Sequence, residues 1–432
     1  MDQNKIFLTG LLSARIGGLE VGNLGNFAIV EPFIDNLKKE FPNHSIRTSF
    51  QLSESFEQQK EITCLRNERF WNYGKYTAKQ TIKDAFKLLL YKISFGSSTK
   101  IINSSKLLKE LYNADFVIDF SGDVFGENAK FNVFLEGAAK IFFAYALKKK
   151  VFVLASSPGP FKKLYKRLIV KYLYNKSEII LNREPISTDM LIELGLNKEI
   201  TKTSACPSYL FKGNPPSTES GLLNKYGIHN EDKLVGFILT GWTLKYAPYN
   251  KLPREEDELT IFVEFLIHLY ETYEFKIVLL SHGNTTLDNG DLVYGNDYYI
   301  LKQLFEMIPE KYKDRIILIN EVFDAKRAKA FIGNFDTLIS GRLHGAIAGI
   351  SQTVPTIVYD YGHEPKAHKL RGFLRLINYE NFLCNPTDLD EMKSLFNKLW
   401  TNRLSIKEQL KEEVASVQSK ALLNFKSIKK FI

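Results

Sequence analysis

The sequence predicts an α/β protein of two doubly wound, Rossmann-like domains followed by a helical tail. Three observations carry this. Short apolar runs rich in β-branched and aromatic residues alternate with helix-periodic stretches along most of the chain, the pattern of successive βαβ units. The alternation pauses at Lys212-Gly213-Asn214-Pro215-Pro216-Ser217 and then restarts, and that concentration of turn formers reads as a linker. Several runs end on turns that combine glycine or serine with a polar side chain, where open α/β sheets bind ligands. On this reading residues 1–212 form the first domain, 213–233 the linker region, 234–385 the second domain and 386–432 the C-terminal helices.

Composition agrees. With 432 residues, 44% of them hydrophobic, the chain is long enough for two such cores. Its 3 cysteines, Cys64, Cys206 and Cys384, are widely spaced, which predicts buried thiols in a reducing compartment. The opening Met1-Asp2-Gln3-Asn4 lacks a basic n-region, and no uncharged apolar run is long enough to span a bilayer. A cytoplasmic protein is therefore expected. The formal net charge is +9, and from Lys140 to Lys176 there is no acidic residue. Within that stretch, 161–174 mixes lysine and arginine with apolar residues at helical spacing. Two readings stay open: a helix whose apolar face packs on the sheet, and peripheral contact with anionic lipid at the inner face of a membrane. No nucleic-acid module accompanies the charge, so nucleic acid is not an expected partner.

In the first domain, Lys5–Leu12 reads as a strand and Phe27–Phe41 as a helix, which leaves Gly17, Gly18, Gly22 and Gly25 in the connecting loop. Those glycines suit either a tight turn or close backbone approach by a ligand. Ser45–Phe50, Asp115–Phe120, Lys150–Ala155 and Ile179–Leu181 are further strands, with helices at Asp84–Lys92 and Leu107–Tyr112. Asp123 follows one strand end in Ser121-Gly122-Asp123, as a hydroxyl ligand, a base or a helix cap. Arg183 follows another, as an anion ligand or the partner of a nearby carboxylate.

In the second domain Leu234–Leu239, Lys276–Leu280, Arg315–Ile319, Thr337–Ser340 and Thr356–Tyr359 are strands, and His282 follows one of them as a cleft candidate, with a structural histidine as the alternative. The densest stretch is 336–371. Strand, Gly341 turn, helical Ala346–Ser351 and a second strand form half of a βαβ unit, and Arg342 and His344 stand at the strand-to-helix turn, where N–H groups and a positive partial charge favour an anion. Leu343 between them is expected to pack inward. The loop Tyr361–Arg371 leaves the next strand at the same edge with His363, Lys366, His368, Lys369 and Arg371. A helix start around a satisfied core histidine is the plainer alternative for the pair, although three of the protein's 7 histidines crowd this one unit.

Gly22-Asn23-Leu24-Gly25-Asn26, Ser121-Gly122-Asp123, Ser340–Gly345 and Tyr361–Arg371 together resemble the polysaccharide pyruvyl transferase family, from about Gly22 to Gly372. Asn26 departs from the commoner family form, which has aspartate there, and an amide cannot ionise. The resemblance implies a glycosyltransferase-B-like pair of domains facing a cleft. It also implies transfer of the pyruvyl group of phosphoenolpyruvate to a saccharide acceptor in cell-surface polysaccharide synthesis, with no cofactor besides the donor. Such acceptors are often lipid-linked. Arg342 and His344 become the expected catalytic residues, and Arg183, Arg342, His344, His363, Lys369 and Arg371 the donor site. Gly22, Asn23, Gly25, Asn26 and Asp123 become the acceptor site. No metal is expected, because His363 and His368 lack ligand-spaced neighbours. Two rivals stay open: a nucleotide-sugar-dependent glycosyltransferase of the same fold, and a non-catalytic glycan-binding subunit.

Overall fold

The computed structural model describes residues 4–10, 22–65, 75–122, 124–127, 129–286, 292–360 and 367–432. The chain divides into two compact units. The first comprises β1, Phe33–Cys206 and Lys420–Ile432; the second holds the segment ending at Pro32 together with Pro207–Ser419.

The first unit carries a seven-stranded sheet of β1 (Asn4–Gly10), β2 (His44–Thr48), β3 (Thr63–Cys64), β4 (Phe116–Phe120), β5 (Lys150–Ser156), β6 (Ile179–Asn182) and β7 (Thr201–Thr203). Its order is β3-β2-β1-β4-β5-β6-β7 and every pairing is parallel. The second unit has β8 (Leu234–Ile238), β9 (Lys276–Leu279), a small antiparallel pair β10 (Asn284–Thr286) and β11 (Leu292–Tyr294), then β12 (Ile316–Leu318), β13 (Thr337–Ser340), β14 (Thr356–Tyr359) and β15 (Leu383–Cys384). Its six-stranded parallel sheet runs β12-β9-β8-β13-β14-β15. Two doubly wound α/β units are thus present, as the alternation predicts.

The central strands β4, β8, β13 and β14 are buried along their whole length. Helices cover both faces of such a sheet, which is why these strands are near-continuous runs of Val, Ile, Leu and Phe without alternation. The edge strands β3, β7 and β15 are the parts the sequence hides. β3 and β15 have two residues each and β7 has three, too short for a hydrophobic period to register.

Two helices begin earlier than their apolar periodicity suggests. The helix expected from Phe27 starts at Leu24 and the one expected from Ala346 starts at Leu343, because glycine and polar residues in the first turn mask the period. Gly25 and His344 are therefore helical residues, not loop residues. The three cysteines are buried. No helix among the described residues is long and apolar enough to cross a membrane.

The C-terminal helix Arg403–Lys426 ends in the first unit. There buried Asn424 accepts from Ala155 N and Ser204 Oγ (both 3.1 Å) and donates to Ala205 O (3.0 Å). Phe425 packs edge-on against Phe33 and Phe431 against Phe152.

Within the same core, Asp119 on β4 is fully enclosed. Burial pushes its carboxyl up to about 7, against the opposing pull of the Ser121 hydroxyl (2.6 Å) and Lys140. Asp119 stays protonated in the fold where the unfolded chain would ionise it. Stability therefore falls as pH rises from the ordinary carboxylate range through about 7. Asp119→Asn should remove that loss: denaturant unfolding at pH 5 and pH 8 is expected to show a gain over the native protein that is larger at pH 8.

Candidate active site

In the second sheet the chain order reverses between β8 and β13. Ligands of open α/β sheets bind at such a switch point, beyond the carboxyl ends of the strands. Three strand ends meet there: Thr240–Thr243 after β8, Ser281–Gly283 after β9, and Gly341–His344 after β13.

Arg342 is the N-cap of the helix Leu343–Ile350, in extended backbone at φ −115° and ψ 127°. Buried Ser340 brackets it, donating from Oγ to Arg342 O (2.8 Å) and accepting from Arg342 N (3.2 Å). The guanidinium is held by a fork from Asp297: Nε donates to Oδ2 and Nη2 to Oδ1, the latter at 2.7 Å. Asp297 lies in the first turn of the helix Asn296–Glu306 and is 1% exposed, whereas Arg342 is 27% exposed. Only a planar fork can make two parallel bonds to a carboxylate, so this pair fixes the direction of the arginine as well as its charge. Gly283 lets the guanidinium lie against the backbone, since an added Cβ would come within 2.9 Å of Nη2.

His282, which the sequence offers as a cleft candidate, is buried beside this pair. Burial and the Arg342 charge push its imidazole down to about 3, so it is neutral at physiological pH. Its Nδ1 is enclosed without a hydrogen-bond partner among the described residues. Asp297 was not singled out at all. It carries no motif and lies 45 residues from Arg342 in sequence, so only the fold makes the pair.

His344 is half-buried in the first turn of its helix, and its ring lies against Gly25. A Cβ on Gly25 would stand 2.4 Å from Nδ1, so the close approach of the two helix starts requires glycine there. Asn23 caps the helix Leu24–Glu40, its Oδ1 accepting from Gly25 N at 3.0 Å. Gly22 O accepts from Asn284 N (2.7 Å), and Leu24 joins the core of the second unit with Ile238, Leu338 and Ala348. Gly22, Asn23, Gly25 and half-buried Asn26 thus belong to the unit that carries Arg342 and His344. Leu343, expected inside, is half-buried, because an N-terminal residue of a helix at the sheet edge is only partly covered.

The remaining expected residues lie elsewhere. Arg371 is exposed and paired with Asp360 Oδ2 through Nε (2.9 Å) and Nη2 (2.6 Å). Both border a cavity of about 420 Å³ with Thr243, Asn385, Thr387 and Glu391. Thr243 also closes on Gly341, where a Cβ would come within 2.7 Å of its methyl. Lys369 is buried in the helix His368–Leu376. Arg183 belongs to the first unit and donates from Nε to Ser157 Oγ at 2.7 Å, and its charge also acts on the carboxyl of neighbouring Glu184. Asp123, His363 and Lys366 lie outside the described residues.

Two variants probe this geometry. Gly25→Ala should lose about 1–3 kcal/mol of stability through overpacking against the His344 ring, and adding His344→Ala should recover most of it in thermal unfolding. Asp297→Ala removes the buried carboxylate that holds the Arg342 fork and is expected to cost about 3 kcal/mol, while the Arg342→Ala/Asp297→Ala double variant loses less than the sum of the single losses.

A family model for polysaccharide pyruvyl transferase matches residues 23–363. A curated relative, the amylovoran biosynthesis protein AmsJ of Erwinia amylovora, is 22% identical over 362 residues, spanning 81% of this chain and 83% of that protein. Among solved structures, a glycosyltransferase from Rickettsia africae aligns with TM-score 0.61 and 12% identity, covering 100% of this chain and 98% of its own. Anabaena HepE in complex with UDP aligns with TM-score 0.57 and 13% identity over 99% of both chains. The UDP-GlcNAc 2-epimerase of Methanocaldococcus jannaschii gives 0.53, 14% and 91% of each. At these identities the structures establish the fold, which is glycosyltransferase-B-like. The family match takes in both the Gly25 helix start and the Arg342–His344 turn that packs beside it, and the chain belongs to the polysaccharide pyruvyl transferase family.

Proposed function

We propose that this chain is a cytoplasmic transferase that moves the pyruvyl group of phosphoenolpyruvate onto two hydroxyls of a saccharide, releasing phosphate, during synthesis of a cell-surface polysaccharide. Family membership supports a transferase of polysaccharide synthesis, and the similarity to an amylovoran biosynthesis protein supports an exopolysaccharide as the product. The observation that carries the reading is the pairing of a fixed guanidinium and a histidine at the switch point of the second sheet.

The donor is a small, highly charged anion. Arg342, directed by Asp297 and standing at a helix N-terminus, suits its carboxylate or phosphate. His344 is the proposed proton-transfer residue, a role open to histidine side chains in general. Protonation at the methylene carbon makes C2 electrophilic, and one sugar hydroxyl adds there as its proton passes to a base. The C2–O bond to phosphate then breaks, and the second hydroxyl closes the ketal, its proton balancing the departing phosphate. Of the two hydroxyl protons, one replaces that used at the methylene carbon and the other leaves with phosphate. Gly22, Asn23, Gly25 and Asn26, whose helix start packs on His344, are the proposed acceptor side. Lys369, Arg371, His363 and Arg183 are the proposed further donor contacts, and Asp123 a further acceptor contact.

Thermal unfolding of the native protein and of Arg342→Ala, titrated with phosphoenolpyruvate and in parallel with UDP, CMP and GDP, tests the donor. A ligand at a hundred times its Kd stabilises by about 2.7 kcal/mol. Phosphoenolpyruvate alone is expected to raise the Tm, and the rise should vanish in Arg342→Ala. Stabilisation by a nucleotide in place of phosphoenolpyruvate would reassign the chain to nucleotide-sugar chemistry.

A further inference from the structure

Among the described residues eighteen large apolar side chains are exposed, and eleven of them lie on or beside three helices of the first unit: Lys75–Ile93, Phe131–Ala146 and Leu164–Tyr174. The first packs on the second and the second on the third. Together they line a groove of about 490 Å³ that includes Ile82, Leu135, Phe142, Leu168 and Tyr172.

Each outer helix carries two apolar faces. In Leu164–Tyr174, Val170, Leu173 and Tyr174 are buried, while Leu164, Leu168 and Tyr172 recur at every fourth position and are exposed. In Lys75–Ile93, Leu88 is buried, whereas Ile82, Phe86, Leu89 and Ile93 follow a four-three-four spacing on the exposed side. A helix that only packs on its own unit needs one apolar stripe, and a second stripe in register with a neighbour's calls for a partner.

Charge identifies that partner. The only carboxylates on the three helices are Asp84 and Glu136, and both are buried. Lys79, Lys83, Lys92, Arg167 and Lys171 are exposed among the apolar side chains. Lys166, counted with this basic face on sequence alone, is not part of it: it is buried and donates to Gly126 O and Glu127 O (both 2.9 Å) and Ala129 O (3.1 Å).

We infer that this three-helix face docks on an anionic lipid bilayer, the apolar stripes entering the boundary between headgroups and acyl chains while the lysines and arginine remain at the lipid phosphates. A second copy of the chain fits less well. A self-complementary contact would set the same cations opposite one another with no exposed carboxylate on these helices to pair with them. The inference rests on the first unit alone, so vesicle binding and phosphoenolpyruvate binding succeed or fail independently.

The test is cosedimentation of the full chain with phosphatidylcholine vesicles, with and without phosphatidylglycerol. Two combined variants accompany it, Ile82→Ser/Phe86→Ser/Leu168→Ser and Lys79→Gln/Lys83→Gln/Arg167→Gln/Lys171→Gln. All these positions are exposed, so an unchanged Tm is expected of both. The native chain should pellet with the anionic vesicles, the apolar variant should bind at least about tenfold more weakly, and each cation removed should weaken anionic binding by about fivefold. A native chain that stays in the supernatant with anionic vesicles, or an apolar variant that binds as the native chain does, overturns the proposal. So does a lipid-free dimer in sedimentation equilibrium that the apolar substitutions dissolve, which would assign the face to a second copy.

Discussion

Both sheets are parallel and their central strands are buried on both faces, and this constraint governs where chemistry can lie. A strand such as β13 or β14 has no solvent face on which to carry a charged side chain. Its functional residues are displaced to the turn after its last residue, where backbone N–H groups open to the sheet edge. Arg342 and His282 occupy such turns and His344 the first turn of the helix that follows, and all three lie where the order of the second sheet reverses.

Within that region the electrostatics depend on one carboxylate. Asp297 holds the Arg342 fork in place, and the arginine charge in turn helps keep His282 neutral. An arginine left to sample its rotamers would present a diffuse charge, whereas one clamped on two donors presents a fixed edge. Gly25 contributes by absence: with no side chain it lets the start of the Leu24–Glu40 helix close on the His344 ring.

The first unit follows different physics on its outer helices. Their inner faces complete the sheet's core, and their outer faces repeat the apolar period among lysines. Lys166 shows how far a linear count of charge misleads, since a lysine with three backbone carbonyls around its ammonium is a structural residue whatever its neighbours in sequence.

The sequence by itself determined the α/β class, the long central strands and the Arg342–His344 turn. These rest on local periodicity and on turn residues a few positions apart. It also carried the family, because the glycine-rich start and the second-unit turn are contiguous motifs. Tertiary structure alone decided the Asp297 clamp, the burial of Lys166 and the contact of Gly25 with His344. It alone also decided the second apolar stripes on the outer helices, whose periodicity looks like ordinary core packing until the neighbouring elements are in place. Short edge strands such as β3 and β15 likewise exist only because a longer neighbour supplies the pairing. The physical reason is common to all of them: a contact between residues far apart in the chain leaves no periodic mark in either segment, and only the packed sheet and its helices bring the two together.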